Sequence, residues 1–326
     1  MLLCTKVRLQ VREQDAASLE MMQGKCRGLY NWWVMKLRAG ERWNWRSAKK
    51  TSAESRKVDP DLDQVYGKLL AEVYFRLDNA MQAFFQRVAA GEKPGFPRVR
   101  PRHQFFTLRY PAMYVRVEGK TVLLPTGGGQ SRKDKPYPTI RAELTESVPA
   151  GYQEVAISRD ARGHYHASFV YEVAEDPEER SGRVVAFDLG IKTLATGYNG
   201  QGRFYHIGGF TGARWYNKQL DKIRSKRDRC QKKSRRYIHL SQVYKRVSED
   251  KRSKGKDCLH KASHLIAHRL VERTVVIGDL SQRQMVTDEH TEHQKALHRA
   301  VYNDWGVYTF VQMLTYKCAV AGKALA

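Results

Sequence analysis

The side chains best able to do chemistry in this 326-residue chain are cationic and aromatic, and they cluster. Between residues 213 and 256 stand Arg214, Lys218, Lys222, Arg224, Lys226, Arg227, Arg229, Lys232, Lys233, Arg235 and Arg236, then Lys245, Arg246, Lys251, Arg252, Lys254 and Lys256, against few acids. A merely solvated helix mixes signs more evenly. Such a surface suits phosphate: each one neutralised releases counterions, which gives strong, salt-dependent binding that reads no sequence. A second group mixes Tyr30, Trp32, Trp33, Trp43 and Trp45 with Lys25, Arg27, Lys36, Arg38, Arg42, Arg46, Lys49 and Lys50. Trp33 fits an apolar helical stripe and is expected in the core, whereas Trp43 and Trp45 fall outside it, where stacking on a base or sugar is expected. His260, His264 and His268 recur every four residues. That spacing would allow a metal stripe, but polar packing or phosphate contact is the commoner use and the one expected here. Asp188 closes the apolar run VVAFD, either as a metal-binding carboxylate or as a satisfied strand-end residue.

The bulk composition agrees with an anionic partner. Fifty-eight Lys plus Arg against 34 Asp plus Glu give a net charge of +24 and an isoelectric point near 9.9, a surplus that attracts nucleic acid. With 41% hydrophobic residues the chain can still bury a core. No apolar run approaches the roughly 20 residues of a spanning helix and the N-terminus lacks a signal-peptide pattern, so the expected location is cytoplasmic, close to the nucleoid, with no membrane partner. Five scattered cysteines without a CxxC imply reduced thiols and neither a disulfide framework nor a zinc ribbon.

These residues need elements to hold them. LLCTKVRLQV at 2–11 alternates and predicts a strand. From Glu13 to Ala90 the apolar residues fall at helical spacing, as in Leu19, Met22, Cys26, Leu29 and Trp33, and predict three or four helices. GEKPGFPRVRPR at 91–102 predicts an extended linker. Short β-like runs follow at 104–109, 113–117, 120–124, 153–158 and 164–172. A small β-barrel accommodates them, with 2–11 as its first strand and the helices inserted. A second domain opens at RVVAFDLG, with strands at 183–188, 193–198 and 203–207, a basic helical region at 212–256, a helix at 257–272, a strand at 273–277 and a helix at 304–321. That order is RNase H-like.

VVAFDLGIKTLATGYNGQG resembles the first RuvC motif of the TnpB (OrfB) family of transposon-encoded RNA-guided nucleases and of the related type V CRISPR effectors. RGLYNWW, GFPRVR, LHKASHLIAHRL, VVIGDLS and NDWGVYTFVQMLTYKCAVAG resemble successive family segments in the correct order. The resemblance implies a multidomain α+β fold. Its parts are a wedge β-barrel (first strand 1–11, remainder 93–178), an inserted helical recognition module (12–92) and a truncated RNase H-like RuvC domain (179–326). It also implies a guide RNA and a double-stranded target DNA that opens into an R-loop. Lys222, Arg224, Lys226, Arg229, Lys232, Lys233, Arg235 and Arg236 are expected to hold RNA and heteroduplex, and Trp43, Trp45, Lys68, Arg76, Phe106, Thr107, Arg109 and Tyr110 to contact the flanking DNA motif.

RuvC cleavage needs convergent carboxylates around two divalent metals. Asp188 fills the first family position, but Gly278 stands where the second motif carries Glu, and Asp279 comes one residue late, on the opposite face of a strand unless the strand bulges. The third Asp and the zinc ribbon are expected to be missing, so no metal cofactor is expected to be required. The function implied is that of the nuclease-dead TnpB-like repressors called TldR: an RNA-guided DNA-binding protein that occupies a guide-matched promoter beside a short flanking motif. Two alternatives stand beside it. One is a metal-dependent endonuclease with a rearranged site drawn from Asp188, Asp279 and one of Asp288, Glu289 or Asp304; the other is a transposon relic that only binds RNA.

Overall fold

The computed structural model describes residues 1–46, 48, 60–127, 138–174, 182–278 and 292–326, and the chain divides into two compact units, Leu2–Glu172 and Val173–Ala326 with Met1.

The first unit is a curled seven-stranded antiparallel sheet with two long helices. Strand β1 (Leu2–Val11) pairs with β7 (Tyr165–Glu172) and β5 (Thr139–Leu144), so the first strand of the chain lies in the middle of the sheet. Then come β6 (Tyr152–Arg159) and β2 (Leu108–Pro111) on one side, and β4 (Thr121–Pro125) and β3 (Arg116–Glu118) on the other. β2 and β3 are not paired with each other among the described residues, so the expected barrel is an open half-barrel. Helices α1 (Glu13–Arg38) and α2 (Gly67–Ala89) follow β1 in sequence. α1 has acids in its first turn and Lys36 and Arg38 in its last, in line with the helix dipole. Its buried residues, among them Leu19, Met22, Cys26 and Trp33, join Leu69, Val73 and Leu77 of α2 and the inward side chains of the sheet in one core. Buried Gln23 is satisfied, accepting from Phe106 N–H (3.1 Å) and Arg27 (3.1 Å) and donating to Glu20 (3.0 Å).

The second unit holds a five-stranded sheet in the order β10-β9-β8-β11-β12. Strands β8 (Val184–Leu189), β9 (Thr193–Tyr198) and β10 (Phe204–Gly208) form an antiparallel meander, and β11 (Thr274–Ile277) and β12 (Ala324–Leu325) run parallel to β8. The helices are α3 (Ala213–Asp228), α4 (Arg235–His264), α5 (Glu292–Arg299) and α6 (Val307–Val320), with π-helical turns at Leu265–Arg269 and Ala300–Asp304. Val185, Phe187 and Leu189 point alternately into a core shared with Ile266, Phe310, Leu314 and Cys318. No break separates residues 256 and 257: α4 runs on to His264, and the helical break is at 229–234, where Ser234 caps α4 by accepting Tyr237 N–H at 3.2 Å. Lys323, 5% exposed, donates to Ile266 O (3.1 Å) and Leu270 O (2.7 Å), satisfying carbonyls at the helix end; burial holds its pKa below the ordinary lysine value.

Candidate carboxylate site and nucleic-acid interface

Asp188 sits near the end of β8, on the exposed face it shares with Val184 and Ala186, because side chains alternate along the strand. β11 pairs with β8 in parallel register, Thr274 with Val184 through Ile277 with Phe187. Continuing that register by one residue places Gly278 level with Asp188 on the neighbouring strand, about 4.8 Å away in the pairing direction. A side chain here would project beside the Asp188 carboxylate, and a Cβ on Gly278 would meet no atom of the described residues within 4 Å. Position 278 therefore has room for a carboxylate side chain and, as glycine, supplies none. Asp279, Asp288, Glu289 and His290 lie outside the described residues, as do Lys49 and Lys50.

The basic segment folds into a helical hairpin of α3 and α4 joined at residues 229–234. Of α3 only Tyr216 and Leu220 are fully buried, and of α4 only Leu259, Ala262 and Ser263, near its far end. The seam between them is half-buried, with the Arg227 guanidinium over the rings of Tyr244 (5.4 Å) and Tyr237 (5.8 Å). All eight expected RNA-binding cations are exposed, and none is paired with a carboxylate among the described residues. They do not form one surface. At about 100° per residue, Lys222, Lys226 and Arg229 share the outward side of α3, whereas Arg224 points the opposite way and lines a cavity with Asp221, Tyr244 and Arg299. Lys232 and Lys233 occupy the tip, Lys233 with a left-handed φ of 70°, and Arg235 and Arg236 open α4.

The residues expected at the flanking DNA separate by burial. Phe106 and Tyr110 are core residues, 6% and 0% exposed, and offer DNA no surface. Alternation through 106–110 turns Phe106, Leu108 and Tyr110 inward and leaves Arg109 exposed and Thr107 half-exposed. Trp43 is also committed internally: its indole N–H donates to Asp78 at 2.8 Å, and its ring meets Trp33 edge-on at 5.5 Å. Half-buried Arg76 donates to Thr107 O (2.9 Å) and lies 4.4 Å over Phe106; burial, then the Arg109 charge, lowers its pKa. Trp45 packs on Phe75 at 5.4 Å with Arg46 over its ring, and Lys68 extends over Tyr114. Arg109 lies between Glu72 (3.6 Å) and Glu154 (3.5 Å), and burial raises the Glu72 pKa despite both nearby arginines.

The OrfB_IS605 family of probable transposases matches residues 168–289, from β7 through all of β8–β11. The similarity to the OrfB (TnpB) transposases lies in that segment. No curated protein matches. Among solved structures, the cryo-EM structure of a Cas12f1–sgRNA–target DNA complex aligns at TM-score 0.62 and 11% identity, over 97% of this chain and 73% of the other. A CRISPR–Cas12f ternary complex aligns at TM-score 0.38 and 11% identity, over 96% and 71%. The first alignment establishes a shared α+β fold.

The other candidate ligands are already engaged. Asp304 forms an ion pair with Lys251 and accepts from Asn217 Nδ2 at 2.6 Å, both partners lying on the hairpin. His264 and His268 face each other with ring centroids 4.6 Å apart. Lys317 donates to the carbonyl of His260 at 2.6 Å and to Ser263 Oγ at 2.8 Å. Burial, then the Lys317 charge, depresses the pKa of His260, and an ammonium so close opposes a cation there. Among the described residues no three His, Cys, Asp or Glu side chains converge for a metal.

Proposed function

We propose that this protein binds DNA under RNA guidance without cutting it, and represses transcription by occupying a guide-matched promoter next to a short flanking motif. The observation that carries the reading is the β8–β11 register, which ends at Ile277–Phe187 and, continued by one residue, sets Gly278 level with Asp188. Two-metal phosphodiester cleavage requires carboxylates on both sides of the metals, and glycine leaves one side bare. What remains of the function is binding. The exposed, unpaired cations of the hairpin suit an RNA backbone, and the fold it shares with Cas12f1 is one that, in that complex, holds guide RNA and target DNA. Of the residues assigned to the flanking DNA, Trp45, Lys68, Thr107 and Arg109 retain surface for it. Sequence recognition then belongs to base pairing, and the protein reads only the flanking motif.

The test is to purify the protein with its RNA, sequence that RNA, and present a plasmid matching its guide with and without divalent metal. Retention of the matched plasmid, uncut in both conditions, is expected, with Asp188→Ala behaving as wild type. Metal-dependent cleavage abolished by Asp188→Ala would overturn the nuclease-inactive reading. Copurifying RNA without retention of matched DNA would overturn the DNA-binding one.

A further inference from the structure

Trp215 lies at the start of α3 with 59% of its surface exposed, while its neighbour Tyr216 is 8% exposed. The two rings meet edge-on at 4.9 Å, so a buried tyrosine braces one edge of the indole and its bulk stays in water. At about 100° per residue, Lys218, Lys222, Lys226 and Arg229 fall with Trp215 inside an arc of about 80° on the outward side of the helix. None of these cations pairs with a carboxylate among the described residues. The strip is about 21 Å long at 1.5 Å per residue, with a cation about every 6 Å and an aromatic face at one end. Cations in file attract a phosphate backbone, and an exposed ring at the end of the file stacks on a base only where that base is unpaired.

We propose that this face of α3 binds single-stranded RNA, with Lys218, Lys222, Lys226 and Arg229 following the backbone and Trp215 stacking on an unpaired base. The inference rests on the reading that the hairpin holds guide RNA, and adds that the RNA there is single-stranded and anchored by stacking. Trp215 makes no contribution to the buried core, so its replacement leaves the fold intact, which a thermal melt of each variant verifies.

The test uses the full chain freed of nucleic acid and three probes: a mixed-sequence single-stranded RNA, the same sequence as a blunt RNA duplex, and its single-stranded DNA counterpart. Trp215→Ala is expected to weaken the single-stranded RNA about 5- to 150-fold. Duplex affinity and the slope of log affinity against log salt should not move, because no charge is lost. Trp215→Phe keeps a ring and most of the affinity. Unchanged affinity of Trp215→Ala for single-stranded RNA, an equal loss on the duplex, or a loss confined to DNA would each overturn the inference. A Lys222→Gln/Lys226→Gln variant separates the two levels. If it flattens the salt slope while Trp215→Ala changes nothing, the stacking inference fails and the hairpin reading stands; if it changes nothing either, both fail.

Discussion

Neutralising Lys222, Lys226, Arg229 and Lys232 together as glutamine tests whether the hairpin grips RNA through its phosphates. All four side chains are exposed and without a carboxylate partner among the described residues, so each is free to displace a counterion. A single-stranded contact contributes about 0.7 to the slope of log affinity against log salt, so four contacts flatten it by about 2.8. If mutant and wild type converge near 1 M salt, that slope corresponds at 0.1 M to about 600-fold weaker binding, or about 3.8 kcal/mol. The geometry supplies two controls. Arg224→Gln, on the other side of α3, should leave the slope nearly unchanged although it removes the same charge. The pair Arg252→Gln/Lys261→Gln should also do little, since those side chains already have Glu249 and Asp257 as partners. The assay is equilibrium binding of a labelled guide-length RNA between about 0.05 and 0.2 M salt, repeated with two unrelated guide sequences. An unchanged slope in the quadruple variant, or one changed as much by Arg224→Gln, would refute this assignment of the RNA-facing side. A loss that depended on guide sequence would refute backbone binding itself.

Three further outcomes follow from the packing. Gly278→Glu should fold as the parent does, with a melting temperature within a few degrees, because a Cβ at 278 meets no neighbour among the described residues; a large drop would show that the position is closed to a carboxylate. Lys251→Ala leaves the Asp304 carboxylate, whose side chain is 12% exposed, without its cation, and should cost about 3 kcal/mol in denaturant unfolding, most of it recovered in Lys251→Met/Asp304→Leu. Burial alone would raise the pKa of Glu272, but hydrogen bonds from Tyr205, its own backbone N–H and Asn199 hold it below the ordinary value. Its folded-state pKa being depressed, the stability it supplies is present above the unfolded value and is lost as pH falls through the folded one. Glu272→Gln should therefore flatten the acid limb of stability against pH, and an unchanged limb would show that the group titrates alike in both states.

Much of the fold was legible because its periodicities are strong. Alternation in LLCTKVRLQV marked β1, and TLATGY marked β9 over the residues it occupies. Leu19, Met22, Cys26 and Trp33 drew the buried stripe of α1. β5 went unread because TIRAEL alternates over only six residues, with charged side chains at two of its outward positions. β12 went unread because two residues carry no period at all; its pairing comes from Ala324 and Leu325 lying parallel to Thr274 and Val275. The barrel was inferred from strand number, whereas closure depends on whether the last strands meet, and β2 and β3 stay apart in the described pairing.

The site divides along the same line between local and long-range information. Gly278 was legible as a position, but its meaning depends on a β8–β11 register that joins residues 90 apart and that no local pattern encodes. The basic segment was legible as a charge surplus, while its division into two faces needed only the helical period: Arg224 departs from Lys222 and Lys226 by half a turn. The same period places Trp215 in line with Lys218 and Lys222, a signal present in the sequence that a count of charges does not display. Phe106, Tyr110 and Trp43 show the converse case. The family resemblance marked them for flanking DNA, yet alternation places Phe106 and Tyr110 on the inner face, and Asp78 accepts the indole N–H of Trp43. An aromatic ring therefore argues for nucleic-acid contact only after the period of its element has placed it outside the core. By that criterion Trp215, which no charge count singled out, is a stronger candidate than the buried rings that did stand out.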